Sequence, residues 1–385
     1  MKKIVSDDDV PFLSEEIIFN ILKRLPAKSL IRFQCVCKHW KNLIESPSFV
    51  ADHLHHSTHQ SPCLLFEPYD SDAPLNLYLL DCEMQARQVP KHPLIDYLEF
   101  GWVIGSSNGL LCVDISDDRA SHPALLLCNP AIREVRPVPT TSGVITGSIG
   151  FGFSPIVNDY KIVRIYVNEM FGNVEVYSVK TGSWKGVEVG ILDGLKITSC
   201  SFTANGDIFW FGFTLEEEED EIGYIVGGNG HHVIISFDIA MEVFTLLPMP
   251  NLPPGSHQNR LTTYENKLAM LSYRGIENSK SSLIDLWVME GWSWTKKYTS
   301  NPYPCFLDPM TVWRNEIVCR ISAGREMEND EPNTILLNLT TKEVTEFTVG
   351  RSHDAHSPGP VGDIEGNVEN DELFNLAIDE LSLIA

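Results

Sequence analysis

Between Ser14 and His56 the apolar residues fall three and four apart; beyond residue 60 they gather in short blocks or alternate with polar ones. The first pattern is helical. Ile17, Ile18, Ile21, Leu22 and Leu25 form one stripe of an amphipathic helix. Ser14 is placed to cap its first turn, and Glu15 and Glu16 complement its dipole. Pro26 ends this helix, because the residue before a proline is pushed out of the α region. A second stripe, Leu30, Phe33, Cys37, Trp40 and Ile44, steps by three and four, and Pro47 to His56 reads as a further short helix. Three or four short helices in so few residues bury little surface alone. Such a unit either docks on another protein through an apolar groove or caps the body behind it, and the pattern leaves both open.

After residue 60, β-branched and aromatic runs punctuated by Gly, Pro, Asn and Asp predict many antiparallel strands. An apolar residue, often followed by Asp, Asn or Ser, recurs with another apolar residue seven positions on: Cys128 with Val135, Tyr177 with Trp184, Phe237 with Phe244, Trp287 with Trp294, Leu337 with Val344. Leu80-Asp81 is a degenerate first member. The anchors Leu80, Cys128, Tyr177, Phe237, Trp287 and Leu337 lie 48, 49, 60, 50 and 50 residues apart. A β repeat near this length predicts a kelch-like propeller with four strands per blade and about six blades. The long interval holds "TLEEEEDEIGYIVGGNG", read as a loop insertion. "ELFNLAIDELSLI" near residue 380 reads as strand that completes a blade with the first β segments and removes a free edge.

Composition narrows the setting. The 385 residues carry a formal charge of −23, unevenly spread: residues 1–60 hold eight Lys/Arg and seven Asp/Glu, which leaves about −24 for the remainder. So acidic a body repels nucleic acid and anionic membrane, and either keeps the protein dissolved or draws in a basic protein. No eighteen-residue apolar run is present, and "MKKIVSDDDV" has aspartates where a signal core would sit. Nine cysteines without a CxxC pair favour free thiols in a reducing compartment. The cytoplasm is the expected location, with the nucleus as a second.

Candidate chemistry is sparse. No P-loop, zinc-protease motif or nucleophile elbow occurs, so no catalytic residues, cofactor or metal are assigned. His53, His55, His56 and His59 form a histidine-rich tract that either binds a metal or is a solvated helix end; without a cysteine pair beside it the solvated reading is preferred. Trp102, Trp210 and Trp313 are read as blade core. Glu216, Glu217, Glu218, Glu219, Asp220 and Glu221 form either a solvated loop or an acidic finger beside a binding face.

The segment "LSEEIIFNILKRLPAKSLIRFQCVCKHWKNLI" resembles an F-box at Leu13, Glu16, Ile17, Ile21, Leu22, Arg24, Leu25, Pro26, Lys28, Ser29, Leu30, Arg32, Phe33, Val36, Lys38 and Trp40. Ser14 departs from it, standing where the family has a proline. The resemblance implies docking on the Skp-type adaptor of a cullin-RING ubiquitin ligase. Leu13, Ile17, Leu25, Pro26, Leu30, Phe33 and Trp40 are carried over as adaptor contacts, with Pro26 setting the turn between helices. Some must pack the unit's own core instead, Trp40 first among them.

"GSSNGLLCV", "LLCNPAIREVRPVP", "GFGFSPIVNDYKIVRI", "VEVYSVKTGSWK" and "IDLWVMEGWSW" resemble blade motifs of the F-box-associated domain of plant F-box proteins, and are similar in particular to the S-locus F-box group. The implied organisation is an all-α F-box at 8–56, a linker at 57–62 and an all-β propeller at 63–385. The implied function is a non-catalytic receptor that brings a protein substrate to the adaptor and, through it, to a cullin. In the S-locus group that substrate is a ribonuclease, which tends to be basic. The reading from a different class is a propeller enzyme or carbohydrate-binding protein with an incidental helical cap.

Overall fold

The computed structural model describes residues 13–60, 63–66, 77–81, 83, 85–88, 102–115, 125–130, 134–139, 147–167, 172–214, 217–219, 225–227, 231–253, 258–275, 281–321, 334–347 and 376–378. Helix α1 is Glu15–Leu22, α2 Ala27–Phe33, α3 Lys38–Ile44 and α4 Pro47–Gln60. Ser14 caps α1 as expected, its Oγ accepting the Ile17 N–H at 3.4 Å. Cys37 Sγ does the same for α3 through the Trp40 N–H. Pro26 separates α1 from α2, and its carbonyl accepts the amides of Ser29 and Leu30. α4 continues through 57–60, where a linker was expected, because no Gly or Pro interrupts the helix after Pro47. Leu22, Leu30, Ile44 and Phe49 form the buried core of these helices. None of the helices among the described residues is long and apolar enough to cross a membrane.

Five full blades follow, each an antiparallel four-stranded sheet. The first is Trp102–Ser107, Leu110–Asp114, Leu125–Asn129 and Glu134–Pro137; the second Ser148–Ser154, Asp159–Val167, Gly172–Ser178 and Ser183–Glu188. The third is Leu195–Ala204, Asp207–Thr214, His232–Asp238 and Val243–Pro248; the fourth Gln258–Tyr264, Lys267–Gly275, Ser282–Glu290 and Ser293–Thr299. The fifth is Leu307–Trp313, Glu316–Ile321, Thr334–Asn338 and Val344–Phe347. The sequence predicted about six. What remains is a smaller sheet of three- and four-residue strands in the order Leu376–Ile378, Cys63–Phe66, Tyr78–Leu80, Ala86–Gln88. Its anchor, Leu80, has Arg87 seven positions on and pairs with Ala86, so the repeat is degenerate here and the strands are short. It joins the two ends of the β region, Leu376 lying opposite Leu65 and Ile378 opposite Cys63.

The repeat has a local cause. Cys128 pairs with Val135, Tyr177 with Trp184, Phe237 with Phe244 and Leu337 with Val344, so a spacing of seven is the register of the hairpin between third and fourth strands. The polar residue after the anchor holds the turn. Asp238 Oδ1 accepts the amides of Ala240 and Met241, Asn338 Oδ1 those of Thr340 and Thr341, and Ser178 Oγ that of Thr181. Asp81 does the same for Glu83 and Gln85 in the small sheet. Trp287 breaks the pattern: it faces Lys296, and Trp294 faces Met289. A two-residue turn, Gly291-Trp292 with Gly291 at φ +67, replaces the longer one and shifts the register.

Neighbouring blades lock by close approach and buried polar ties. A Cβ on Gly150 would lie 2.4 Å from Trp210 Cζ2, so only glycine lets the second blade seat on the third. Lys161, buried, donates to the Ile239 carbonyl at 2.7 Å and to Glu242 Oε1 at 2.6 Å. Trp184 and Trp294 each donate an indole N–H to the preceding blade, at Pro139 and Pro248. Trp210 and Trp313 are blade core, as expected. Trp102 is not: it is 51% exposed at the start of its strand.

Candidate protein-docking site

Leu13, just before the Ser14 cap, and Ile17 and Ile21 on α1 recur four residues apart and stand 50%, 47% and 48% exposed, although α1 also buries Leu22. Pro26 is exposed at the following corner and Leu25 is half-buried there. Val36, in the turn before α3, is 60% exposed. Arg24, Lys28, Arg32 and Lys38 are exposed around these residues. An apolar stripe rimmed by cations on a small, completed core is a surface with unused capacity for a protein partner.

Of the predicted contacts, Leu13, Ile17 and Pro26 are open to a partner. Leu30 is not. Its side chain is 0% exposed among Leu22, Ile44 and Phe49, so it belongs to the head's own core and offers no surface. Phe33 and Trp40 are half-buried against that core and meet edge to face at 5.6 Å. Ile21 and Val36 extend the exposed surface beyond the predicted set. Ile21 was legible as the next turn after Ile17, whereas Val36 lies in a turn without periodicity.

Among the described residues no His, Cys, Asp and Glu gather as a metal site; of the histidine tract, the side chains of His55 and His59 lie outside those residues. His53 instead points inward, its Nε2 2.9 Å from the Leu25 carbonyl. Cys112, Cys128 and Cys319 are free and buried; burial pushes their thiols up, Cys128 to about 12, which suppresses nucleophilic use.

A cleft of about 1000 Å³ separates α4 from the propeller, with Val50, Ala51 and Leu54 on one wall and Asn108, Asn158 and Asn205 on the other. Those three asparagines lie in turns joining first to second strands, so such turns, and with them the turns from third to fourth strands, mark the head-side face. Strand alternation then puts the ends joined by second-to-third segments on the far face. In the five blades those segments, 116–124, 168–171, 215–230, 276–280 and 322–333, contain fourteen acidic and three basic residues. The head-side turns contain three acidic and four basic residues. Part of the acidic insertion is ordered backbone: Glu217–Glu219 pairs antiparallel with Ile225–Gly227, a short hairpin where a loop was expected, with β-branched Ile225 and Val226 favouring the strand. Glu216, Asp220 and Glu221 lie outside the described residues.

Residues 11–52 match the F-box domain, and residues 68–348 match the F-box associated beta propeller domain. The chain belongs to the F-box proteins with an associated β-propeller. Among its relatives in Arabidopsis thaliana, the F-box protein At3g16210 is 32% identical over 45% of this chain, although the match spans only 46% of that protein. F-box protein CPR1 is 26% identical, covering 74% of this chain and 72% of its own length. The F-box/kelch-repeat protein At3g23880 is 25% identical over 77% and 82%.

Proposed function

We propose that this chain is the substrate-recognition subunit of an SCF-type ubiquitin ligase, working in the cytosol and nucleus without catalysis of its own. In this reading the head docks on a Skp-type adaptor, which links it to a cullin, and the propeller holds the protein to be ubiquitinated. The observation that carries it is the exposed apolar stripe Leu13, Ile17 and Ile21 on a folded F-box. Buried groups give the head its shape, so the stripe is available for a partner to desolvate. The test is co-purification of the full-length chain with a plant Skp-type adaptor, for wild type and Ile17→Asp. Capture of the wild type alone supports the reading, and no capture of either sinks it.

The substrate we propose is a basic protein approaching the face away from the head. Support comes from the acidic sequence of the segments between second and third strands, whose described strand ends lie on that face, and from the likeness of the blade motifs to the S-locus group, whose ribonuclease targets tend to be basic. Association steered by charge slows as ionic strength rises past about 0.15 M, where the screening length is about 8 Å. Stopped-flow association with a basic ribonuclease should therefore slow with salt. It should also slow when Glu216 to Glu219 and Glu221 become glutamine and Asp220 becomes asparagine. A rate indifferent to both changes leaves the acidity to solubility alone.

A further inference from the structure

We infer that His53 is a positioning residue for adaptor docking: it fixes the corner between α1 and α2 from which Leu25 and Pro26 are presented. The inference rests on the proposed docking role of the head. At that corner a proline lacks the N–H that would continue α1, and the chain must turn without its usual ladder. The amides of Ser29 and Leu30 both turn to the Pro26 carbonyl, at 2.8 and 3.2 Å. The Leu25 carbonyl, one residue earlier, takes a hydrogen bond from His53 Nε2 at 2.9 Å. That donor comes from α4, twenty-eight residues later in the chain.

The imidazole is itself held. Its side chain is buried and stacks on Phe49, one helical turn earlier, with ring centroids 6.1 Å apart and planes 18° apart. Phe49 in turn meets Phe19 of α1 edge to face at 5.2 Å. α4 therefore holds this stretch twice, through an apolar contact at Phe19 of α1 and a polar one at Leu25 beyond the end of α1. Only the polar contact lands on the corner. Because a carbonyl only accepts, Nε2 carries the proton, and it does so in the neutral Nε2–H tautomer and in the imidazolium alike. Leu25 follows Ile21 by one turn along the same stripe, so the corner sets where that stripe ends and which way Pro26 projects. A leucine at 53 would keep the apolar contact and lose the donor. A glutamine would place an amide N–H where Nε2 now sits.

The experiment uses the full-length chain, titrated with a Skp-type adaptor by biolayer interferometry. Wild type, Ile17→Asp, His53→Leu and His53→Gln are compared, with hydrogen exchange read at the Ser29 and Leu30 amides, which bond the Pro26 carbonyl. His53→Leu should bind at least fivefold more weakly and exchange faster at the corner, while His53→Gln should return to within about twofold of wild type, since the lost contact is one part-buried hydrogen bond. A purely structural role predicts that both variants lose stability but bind normally when folded. Wild-type affinity for a folded His53→Leu overturns the inference, as does a folded His53→Gln as weak as His53→Leu. If His53→Leu does not fold, the glutamine variant decides alone, near-wild-type binding supporting the clamp and a fivefold loss overturning it. If the wild type itself does not bind adaptor, the docking proposal fails. Corner exchange still judges the clamp: unchanged protection in the folded variants overturns it.

Discussion

The pair Ile17 and Leu30 separates surface from core on a head in which both residues lie on helical stripes. Ile17 is the third residue of α1 after its Ser14 cap and is 47% exposed. An aspartate there sits in the first turn, where a negative charge gains about 0.3–1 kcal/mol from the helix dipole, roughly offsetting its poorer helix propensity. Ile17→Asp should therefore melt within about 0.5 kcal/mol of wild type. In a docked complex the same carboxylate would be desolvated without a partner, at about 3 kcal/mol or more, which is over a hundredfold in Kd. Leu30→Ala does the opposite. Its side chain is fully buried among Leu22, Ile44 and Phe49, so truncation costs about 2–5 kcal/mol. A head of this size has only about 2–7 kcal/mol in all, so the variant leaves it close to unfolded. The assay is thermal denaturation of residues 13–60 signals by NMR in the full-length chain, alongside adaptor titration. Wild-type affinity for a folded Ile17→Asp, or wild-type melting for Leu30→Ala, refutes the division between exposed stripe and core.

Three further outcomes are expected. A chain ending at Asn370 lacks Leu376–Ile378 and leaves Cys63–Phe66 without one partner strand, so the β region should unfold at lower urea as a whole; an unchanged midpoint counts against closure through this sheet. Lys161→Met removes the donor to Ile239 and leaves Glu242 with Lys185, costing about 2–4 kcal/mol in urea unfolding. Burial raises the Glu242 carboxyl, but the Lys161 and Lys185 ammoniums outweigh it and hold it below 4.5, so this stabilisation is present above pH 4.5 and lost as pH falls through the lowered value. Asp207 runs the other way: burial and then the facing Asp238 push it from 3.8 to about 6. Its contribution is fully present below pH 3.8 and lost as pH rises through 6, so Asp207→Asn should stabilise by about 1 kcal/mol at pH 7.5, allowing for partial exposure, and by nothing at pH 3.5. Equal melting shifts at both pH values would count against it.

The elements with local causes were legible before any fold was known. Ser14 caps α1 and Pro26 ends it through neighbours in sequence, and the pairing of Tyr177 with Trp184 follows from a turn that Ser178 holds itself. The same rule misplaced Trp287 by one position, because turn length sets register and two residues there replace four. The count of blades was less legible, since Leu80 keeps its turn-capping aspartate but not the apolar partner that would lengthen the strands.

Which residues of a stripe stay exposed was beyond the sequence. Leu30 and Ile17 are equally apolar and equally well placed on their helices, and only the packing of four helices together covers one and leaves the other bare. His53 shows the same limit, since nothing in a run of histidines marks the one that turns inward to a carbonyl on another helix. The sequence by itself determined the two modules, the repeat and the acidic total. The tertiary structure decided which strand ends share a face, because only a propeller of four-stranded blades sends alternate connections to opposite sides, so that the first-to-second turns at Asn108, Asn158 and Asn205 all meet α4.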